Sequence, residues 1–123
     1  MKTMYVLMSH DITRQQMTDA KRAFGIQRFI SLPTDAWSQI PAETESVASS
    51  LLQLKAQLAA QAKKGDLLLV QGDYGATFNM VQFAKEKGIV PVYATSRRKA
   101  YEVVEGEKIT TVREFQHVRF RKF

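Results

Sequence analysis

The chain has 123 residues, no cysteine and a formal net charge of +6. This length predicts one domain that spans residues 1–123. Without cysteine there is no disulfide framework and no thiolate metal site, and two histidines without ligand spacing argue against a histidine metal site. No stretch approaches ~18 consecutive apolar residues, and the start lacks a signal-peptide cleavage site, so we expect a cytoplasmic protein without a membrane segment.

The positive charge is concentrated at the C-terminal end. Eight Lys or Arg residues and four Glu residues fall between Arg97 and Phe123. A basic surface favours polyanionic partners through its electric field. A solvated cationic end that keeps the protein soluble is the alternative interpretation.

The first part of the chain predicts a strand, a helix and a second strand. Tyr5–Met8 is a short apolar run, and Thr13 with Gln16 forms a capping box for a helix that Gly25 ends. A second strand covers Arg28–Pro33. The following stretch, Thr34–Ile40, is predicted as a connection that carries the only tryptophan.

A long second helix is predicted to start near Pro41 and to finish at the lysines before Gly65. Its core-facing stripe consists of Val47, Leu51, Leu54 and Leu58. The spacing of these four residues is that of one helical face.

The centre of the chain predicts a buried strand followed by a glycine turn. Leu67–Val70 is wholly apolar, and a helix from about Ala76 to Gly88 follows the turn. The next strand is Ile89–Ala94. This alternation of strands and helices predicts a doubly wound, mainly parallel α/β sheet.

Ligands of such sheets bind beyond the carboxyl ends of the strands. The loops at those ends are Ser9–Thr13, Gly72–Thr77 and Thr95–Lys99, and we expect them to converge. The glycine turn places backbone N–H groups at the positive end of a helix, which suits a phosphate. The alternative is an ordinary strand-to-helix turn that needs glycines for its geometry only.

The C-terminal region predicts a β-hairpin. Arg97–Val104 has the pattern of a short helical turn, whereas Tyr101–Val104 and Ile109–Val112 flank a turn at residues 105–108. In the last strand, alternation places three cationic or titratable residues on one face and two apolar residues inward. The outward residues are His117, Arg119 and Arg121, and the inward ones are Val118 and Phe120. A charged edge strand that resists aggregation would show the same pattern.

Several motifs together resemble a known family. They are Ser9-His10-x-x-Thr13, Gly65-Asp66, Gln71-Gly-Asp-Tyr-Gly-Ala-Thr77, Pro91-Val-Tyr-Ala-Thr95-x-x-Arg98 and His117-Val-Arg-Phe-Arg121. In this combination the chain resembles the small stand-alone ring nucleases of type III CRISPR systems, the CARF-like proteins of the Csx series.

The resemblance implies a Rossmann-like, CARF-like fold and a homodimer that binds cyclic oligoadenylate, in particular cyclic tetra-adenylate. It also implies cleavage without a metal or another cofactor. The ribose 2′-oxygen attacks the adjacent phosphodiester in line and leaves a 2′,3′-cyclic phosphate. No membrane and no stable DNA partner are expected.

Candidate residues follow from this chemistry. The catalytic candidates are His10, Arg98 and His117, because imidazoles move protons near neutral pH and guanidinium stabilises charged phosphate. The ligand-binding candidates are Ser9, Thr13, Gly72, Asp73, Tyr74, Gly75, Ala76, Thr77, Thr95, Arg97 and Arg119. For Asp73 we expect a helix cap or a ribose contact, and for Tyr74 stacking on adenine or packing.

Two other functions remain open at this point. A non-catalytic protein that sequesters cyclic oligoadenylate needs the same contacts as the enzyme. A basic nucleic-acid-binding module would instead use the cationic face of the last strand and bind in a strongly salt-dependent way.

Overall fold

The computed structural model describes residues 1–123, which form five strands and four helices. In chain order these are β1 (Thr3–Leu7), α1 (Arg14–Phe24), β2 (Arg28–Ser31), α2 (Thr34–Ser38), α3 (Ala48–Gln61), β3 (Leu67–Val70), α4 (Tyr74–Glu86), β4 (Val90–Glu105) and β5 (Lys108–Lys122).

The five strands form one sheet in the order β2-β1-β3-β4-β5. The first four strands run parallel, and β5 returns antiparallel to β4. The chain moves from β1 to β2 on one side and then crosses to β3 on the other, so the switch point lies between β1 and β3. The predicted mixed α/β fold with a mainly parallel sheet and a C-terminal hairpin is confirmed at this level.

Helices cover both faces of the sheet because β1 and β3 are buried on both sides. On one face, Tyr5 and Leu68 pack with Leu51 and Leu58 of α3 and Met80 of α4. The other face has a smaller cluster under α1. Its members include Met4, Val6, Ala20, Leu67, Leu69, Val92 and Phe120. No helix is both long enough and apolar enough to cross a membrane.

The first helix forms as its sequence predicts. Gln16 N–H donates to the Thr13 hydroxyl oxygen at 3.1 Å, and Thr13 N–H donates to the Gln16 side chain at 3.0 Å. This capping box satisfies two N–H groups at the start of the helix. Gly25 ends it in the left-handed conformation, with φ of 69°.

Two expectations in the middle of the chain were wrong. The predicted connection contains the short helix α2, which buries Trp37. The long helix begins at Ala48, not near Pro41, because the only apolar side chains of residues 41–46 are those of Pro41 and Ala42, both exposed, and a helix without a packed face is unstable. It also ends earlier, at Gln61, because Asp66 Oδ2 accepts the Lys63 N–H at 2.9 Å.

The C-terminal hairpin is much longer than predicted. There is no helical turn at Arg97–Val104 and no loop at Thr95–Lys99, since β4 continues to Glu105 and pairs with β5 throughout. Threonine, valine and tyrosine favour this extended ribbon. Gly106, with φ of 62°, makes the turn. We call residues 97–116 the arm, because β4 pairs with β3 only at Val90–Val92.

A β-bulge changes the predicted faces of the last strand. Thr95 pairs with Arg119 and Ser96 pairs with His117, which leaves Val118 as the extra residue. The extra residue shifts the two-residue alternation. His117 therefore shares the inner side with Phe120, at a ring separation of 4.7 Å, and Val118 is 45% exposed. The predicted outward row that included His117, and the inward position of Val118, were wrong.

Candidate functional site

A cavity of about 380 Å³ opens beside the switch point, between the start of α1 and the base of the arm. We call it the polar cavity. The residues that line it are His10, Thr13, Gln15, Gln16, Gln71, Ala94, Thr95, Ser96, Phe115 and His117.

The topology explains why these residues meet. His10 follows β1, Gln71 follows β3, and Thr95 lies on β4 beyond the last residue that pairs with β3. The N-terminus of α1 borders the same space, and its first turn contains no acidic residue. Its positive end is therefore not neutralised by a carboxylate of its own, which makes this edge favourable for an anion.

His117, which lines the polar cavity, is paired with Asp19 of α1, which lines two neighbouring cavities instead. His117 Nε2 donates to Asp19 Oδ2 at 2.7 Å, and the side chains are 4% and 11% exposed. Arg22 donates to the other carboxylate oxygen at 2.6 Å. Burial alone would raise the pKa of Asp19, but the hydrogen bonds from His117 and Arg22 outweigh it and hold this pKa below its ordinary value.

The two imidazoles of the cavity differ in their second nitrogen. His117 Nδ1 is buried and has no hydrogen-bond partner. His10 is exposed, and its Nδ1 donates to the Asp11 carbonyl oxygen at 3.0 Å, which leaves Nε2 free. One imidazole of the cavity thus has an exposed ring nitrogen that is open to a ligand, and the other has a buried ring nitrogen without a partner.

A second cavity, of about 470 Å³, lies on the α4 side of the sheet. We call it the aromatic cavity. The residues that line it are Val70, Gln71, Gly72, Tyr74, Thr77, Phe78, Val81, Tyr93 and Phe123. Tyr93 and Phe123 lie with ring centroids 4.9 Å apart, while Tyr74 and Phe78 are exposed. Such a surface suits a flat aromatic group better than a phosphate.

Gln71 lies between the two cavities and lines both. Its side-chain oxygen accepts the Ala94 N–H at 3.0 Å, and its carbonyl oxygen accepts the Trp37 indole N–H at 2.8 Å. These bonds fix the end of β3 against β4 and α2. The predicted convergence of three loops on one site is therefore replaced by two cavities that share this residue.

The glycine turn serves packing and capping. A Cβ on Gly72 would lie 2.5 Å from Trp37 Nε1, so only glycine fits beside the indole. Asp73 Oδ1 accepts the Ala76 N–H at 3.0 Å, which confirms the cap expected for Asp73. Its carboxylate occupies the positive end of α4, where we predicted a phosphate. This supports the alternative of a turn that needs its glycine for geometry.

The other predicted residues divide between the two cavities and the outside. His10, Thr13, Thr95 and His117 line the polar cavity, whereas Gly72, Tyr74 and Thr77 line the aromatic cavity. Six other candidates line neither cavity. They are Ser9, Arg97, Arg98 and Arg119, with Gly75 and Ala76.

Alternation along β4 separates the two neighbouring arginines. Arg98 pairs with Phe115, which lines the polar cavity, and Arg97 pairs with Gln116 on the opposite face of the ribbon. Arg119 borders a third cavity, beside Asp19 and Arg22. Of the predicted arginines, Arg98 is thus the one on the polar-cavity face of the arm.

The model of the uncharacterized protein MJ1673 family matches residues 2–121. This chain belongs to that family. It is similar to uncharacterized protein MJ1673 of Methanocaldococcus jannaschii, with 40% identity over 126 residues that cover 100% of this chain and 98% of the relative. No solved structure matches the chain.

Sequence reasoning missed two residues of the site in this member of the MJ1673 family. Asp19 falls on the core-facing side of α1, three residues after Gln16 and next to Ala20, where a carboxylate needs a partner. That position was a usable signal. Gln71 directly follows the apolar strand β3, and nothing in the sequence shows that its amide bridges to β4.

Proposed function

We propose that this protein is a CARF-like ring nuclease, a homodimer with a Rossmann-like domain that binds cyclic oligoadenylate and cleaves it without a metal. Such an enzyme would switch off type III CRISPR signalling in the cytoplasm. The observation that carries the proposal is the polar cavity at the switch point, where two imidazoles meet the uncompensated N-terminus of α1. The motifs that resemble the Csx-type proteins supply the choice of ligand.

Each of the two cavities binds a different part of the ligand. The polar cavity receives a phosphate at the N-terminus of α1, beside Thr13, Thr95 and Ser96. The aromatic cavity receives an adenine against Tyr74 and Phe78. Gln71 borders both sites, so a nucleotide that spans the end of β3 contacts both at once.

Cleavage requires in-line attack by the ribose 2′-oxygen and stabilisation of the charged phosphorane. His10 and His117 line the cavity and are the groups that move protons there. Arg98 lies on the arm opposite Phe115, and its flexible side chain approaches a bound phosphate from that side.

A homodimer fits both the ligand and the arm. The arm exposes large apolar residues, with Val104 64%, Ile109 63% and Phe115 76% accessible. An isolated two-stranded ribbon is marginally stable in water. A second copy that covers these residues would also bring two polar cavities to a two-fold symmetric cyclic ligand.

Incubation of the protein with cyclic tetra-adenylate in EDTA, followed by chromatography, tests the proposal. We expect a linear product with a 2′,3′-cyclic phosphate over many turnovers. Arg98→Ala should reduce the cleavage rate about a hundredfold and ligand affinity much less, because it acts on transition-state charge. Arg113→Ala, two pairs further out on the same face of the arm, is the matched control and should retain the wild-type rate.

A non-catalytic binder of the same ligand is the second candidate, and one observation favours it. The Nδ1 atom of His117 is closed to solvent, so a bound ligand does not reach it without movement of a side chain. Stoichiometric retention of intact cyclic ligand would establish this function in place of the enzyme. Equal binding of linear RNA, weakened by salt, would instead support the nucleic-acid module.

A further inference from the structure

We infer that Asp19 and His117 form the proton-transfer pair of the polar cavity, in which His117 Nδ1 removes the proton from the attacking ribose 2′-hydroxyl. Asp19 acts as a positioning residue that holds the imidazole. The inference rests on the proposed function and names the general base of that reaction.

The hydrogen bond between the two residues defines the state of the ring. A carboxylate oxygen only accepts, so Asp19 Oδ2 at 2.7 Å fixes the proton of the neutral imidazole on Nε2. The lone pair then resides on Nδ1. Contact with Phe120 at 4.7 Å and the low exposure of both side chains hold the ring in this orientation.

The unpartnered Nδ1 atom of His117 distinguishes this pair from a hydrogen bond with a purely structural role. A structural hydrogen bond between α1 and β5 needs only Nε2, yet Nδ1 is buried with no hydrogen-bond partner. Buried polar atoms are nearly always paired, and exceptions need an explanation. The bulge at Val118 is what turns this ring toward α1, and bulges often re-aim side chains beside active sites.

Ligand access requires one small movement. Gln15 is an exposed side chain that lines the same cavity, and its amide nitrogen lies 3.4 Å from the His117 carbonyl oxygen. This distance corresponds to a weak hydrogen bond. An incoming ribose must displace the side chains that cover Nδ1, and Gln15 is a weakly held side chain beside them in the same cavity.

The step balances without a co-reactant. The 2′-oxygen forms a bond to phosphorus as its proton moves to His117 Nδ1, and the bond from phosphorus to the 5′-oxygen breaks. The 5′-oxygen leaves with a proton from the imidazolium of His10, the exposed ring in the same cavity. The products are a 2′,3′-cyclic phosphate and a 5′-hydroxyl, and solvent restores both imidazoles.

Several charged or titratable groups surround His117. Asp19, Arg14 and Arg22 face it from α1, His10 shares the polar cavity, and Arg119 lies on the same strand. Asp19 is the only carboxylate among them. Its removal takes away the carboxylate that holds the ring through Nε2.

Single-turnover cleavage of cyclic tetra-adenylate between pH 5 and 9 tests the pair. We expect His117→Gln to slow cleavage about a hundredfold or more while ligand affinity changes only a few-fold. Asp19→Asn should lower the maximal rate because the ring loses the carboxylate that orients it, and Asp19→Glu should restore part of the rate. Asp35→Asn, an exposed carboxylate on α2, is the matched control and should leave the profile unchanged.

Failure of the inference differs from failure of the proposed function. If the wild type cleaves and His117→Gln or Asp19→Asn retains its rate and pH profile, His117 is not the base, whereas the ring nuclease stands. If the wild type leaves the cyclic ligand intact, both are overturned. If the variants lose rate only in proportion to their loss of thermal stability, the proton-transfer role of the pair is also overturned, because the Asp19–His117 hydrogen bond is then purely structural.

The tautomer gives a second measurement on the unliganded wild-type protein. The chain has only two histidines, so ¹⁵N-labelled imidazole signals are assigned with one His10→Ala variant. Above neutral pH, His117 should carry its proton on Nε2 with Nδ1 unprotonated. A proton on Nδ1 would exclude it as the base.

Discussion

At the scale of single residues, the contact between Gly72 and Trp37 constrains both positions. Gly72 packs against the indole of Trp37, and the indole N–H donates to the Gln71 carbonyl oxygen at 2.8 Å. The same contact fixes the wall between the two cavities. A side chain at residue 72 would disturb the core and the site together.

Gly72→Ala should destabilise the protein by about 1–3 kcal/mol, because its Cβ would meet Trp37 Nε1 at 2.5 Å and force the indole out of its packed position. Chemical denaturation measures the loss, and Trp37, the only tryptophan, reports it by fluorescence. Gly75→Ala is the matched control, since its Cβ meets nothing closer than 3.6 Å. Equal stability of the two variants would contradict the close contact.

Acid should weaken the link between α1 and β5. The pKa of Asp19 is held below its ordinary value of 3.8, so the folded carboxyl contributes stability above that value, and this contribution is lost as the pH falls through the lower folded pKa. Asp19→Asn should therefore lose less stability than the wild type on acidification below about pH 4. Thermal unfolding at pH 3 and pH 6 measures both, and a parallel loss in the two proteins would count against the prediction.

At the scale of elements, the arm is separate from the body of the fold. Its residues pair only with each other, and none of residues 97–116 belongs to either core cluster. The body should fold without the arm. The arm in turn supplies the apolar surface that our proposal assigns to the dimer.

A shortened arm tests this separation. Replacement of residues 101–112 by Asn-Gly joins the paired residues Ala100 and Arg113 through a two-residue turn. We expect a melting temperature within a few degrees of the wild type and loss of the dimer by light scattering. A monomeric wild type would overturn the proposed dimer, and a shortened protein that remains a dimer would place the interface elsewhere.

At the scale of the whole molecule, the sequence predicted the elements whose signals are local. The capping box at Thr13 and the apolar run Leu67–Val70 gave α1, β3 and the parallel sheet. Where tertiary contacts decide, prediction failed. The start of α3 depends on what residues 41–46 have to bury, and the length of β4 depends on pairing with β5.

The site followed the same division. Its place at the carboxyl ends of the strands was predicted from topology, and His10, Thr13, Thr95 and His117 do meet there. The separation of the glycine turn into a second cavity depends on how Trp37 and Gln71 pack, which no spacing in the chain reveals. Asp19 was missed because its partner lies 98 residues away.

The bulge at Val118 has a consequence for how the protein tolerates sequence change. An unbroken strand would alternate between permissive and restrictive positions. Here a saturation mutational scan should find two adjacent permissive positions, Val118 and Arg119, between two restrictive ones, His117 and Phe120. Folded protein recovered from each variant gives the readout, and strict alternation would mean that the strand carries no extra residue. Deletion of Val118 alone should restore the regular alternation and leave His117 on the inner side with Phe120, so this variant should still fold.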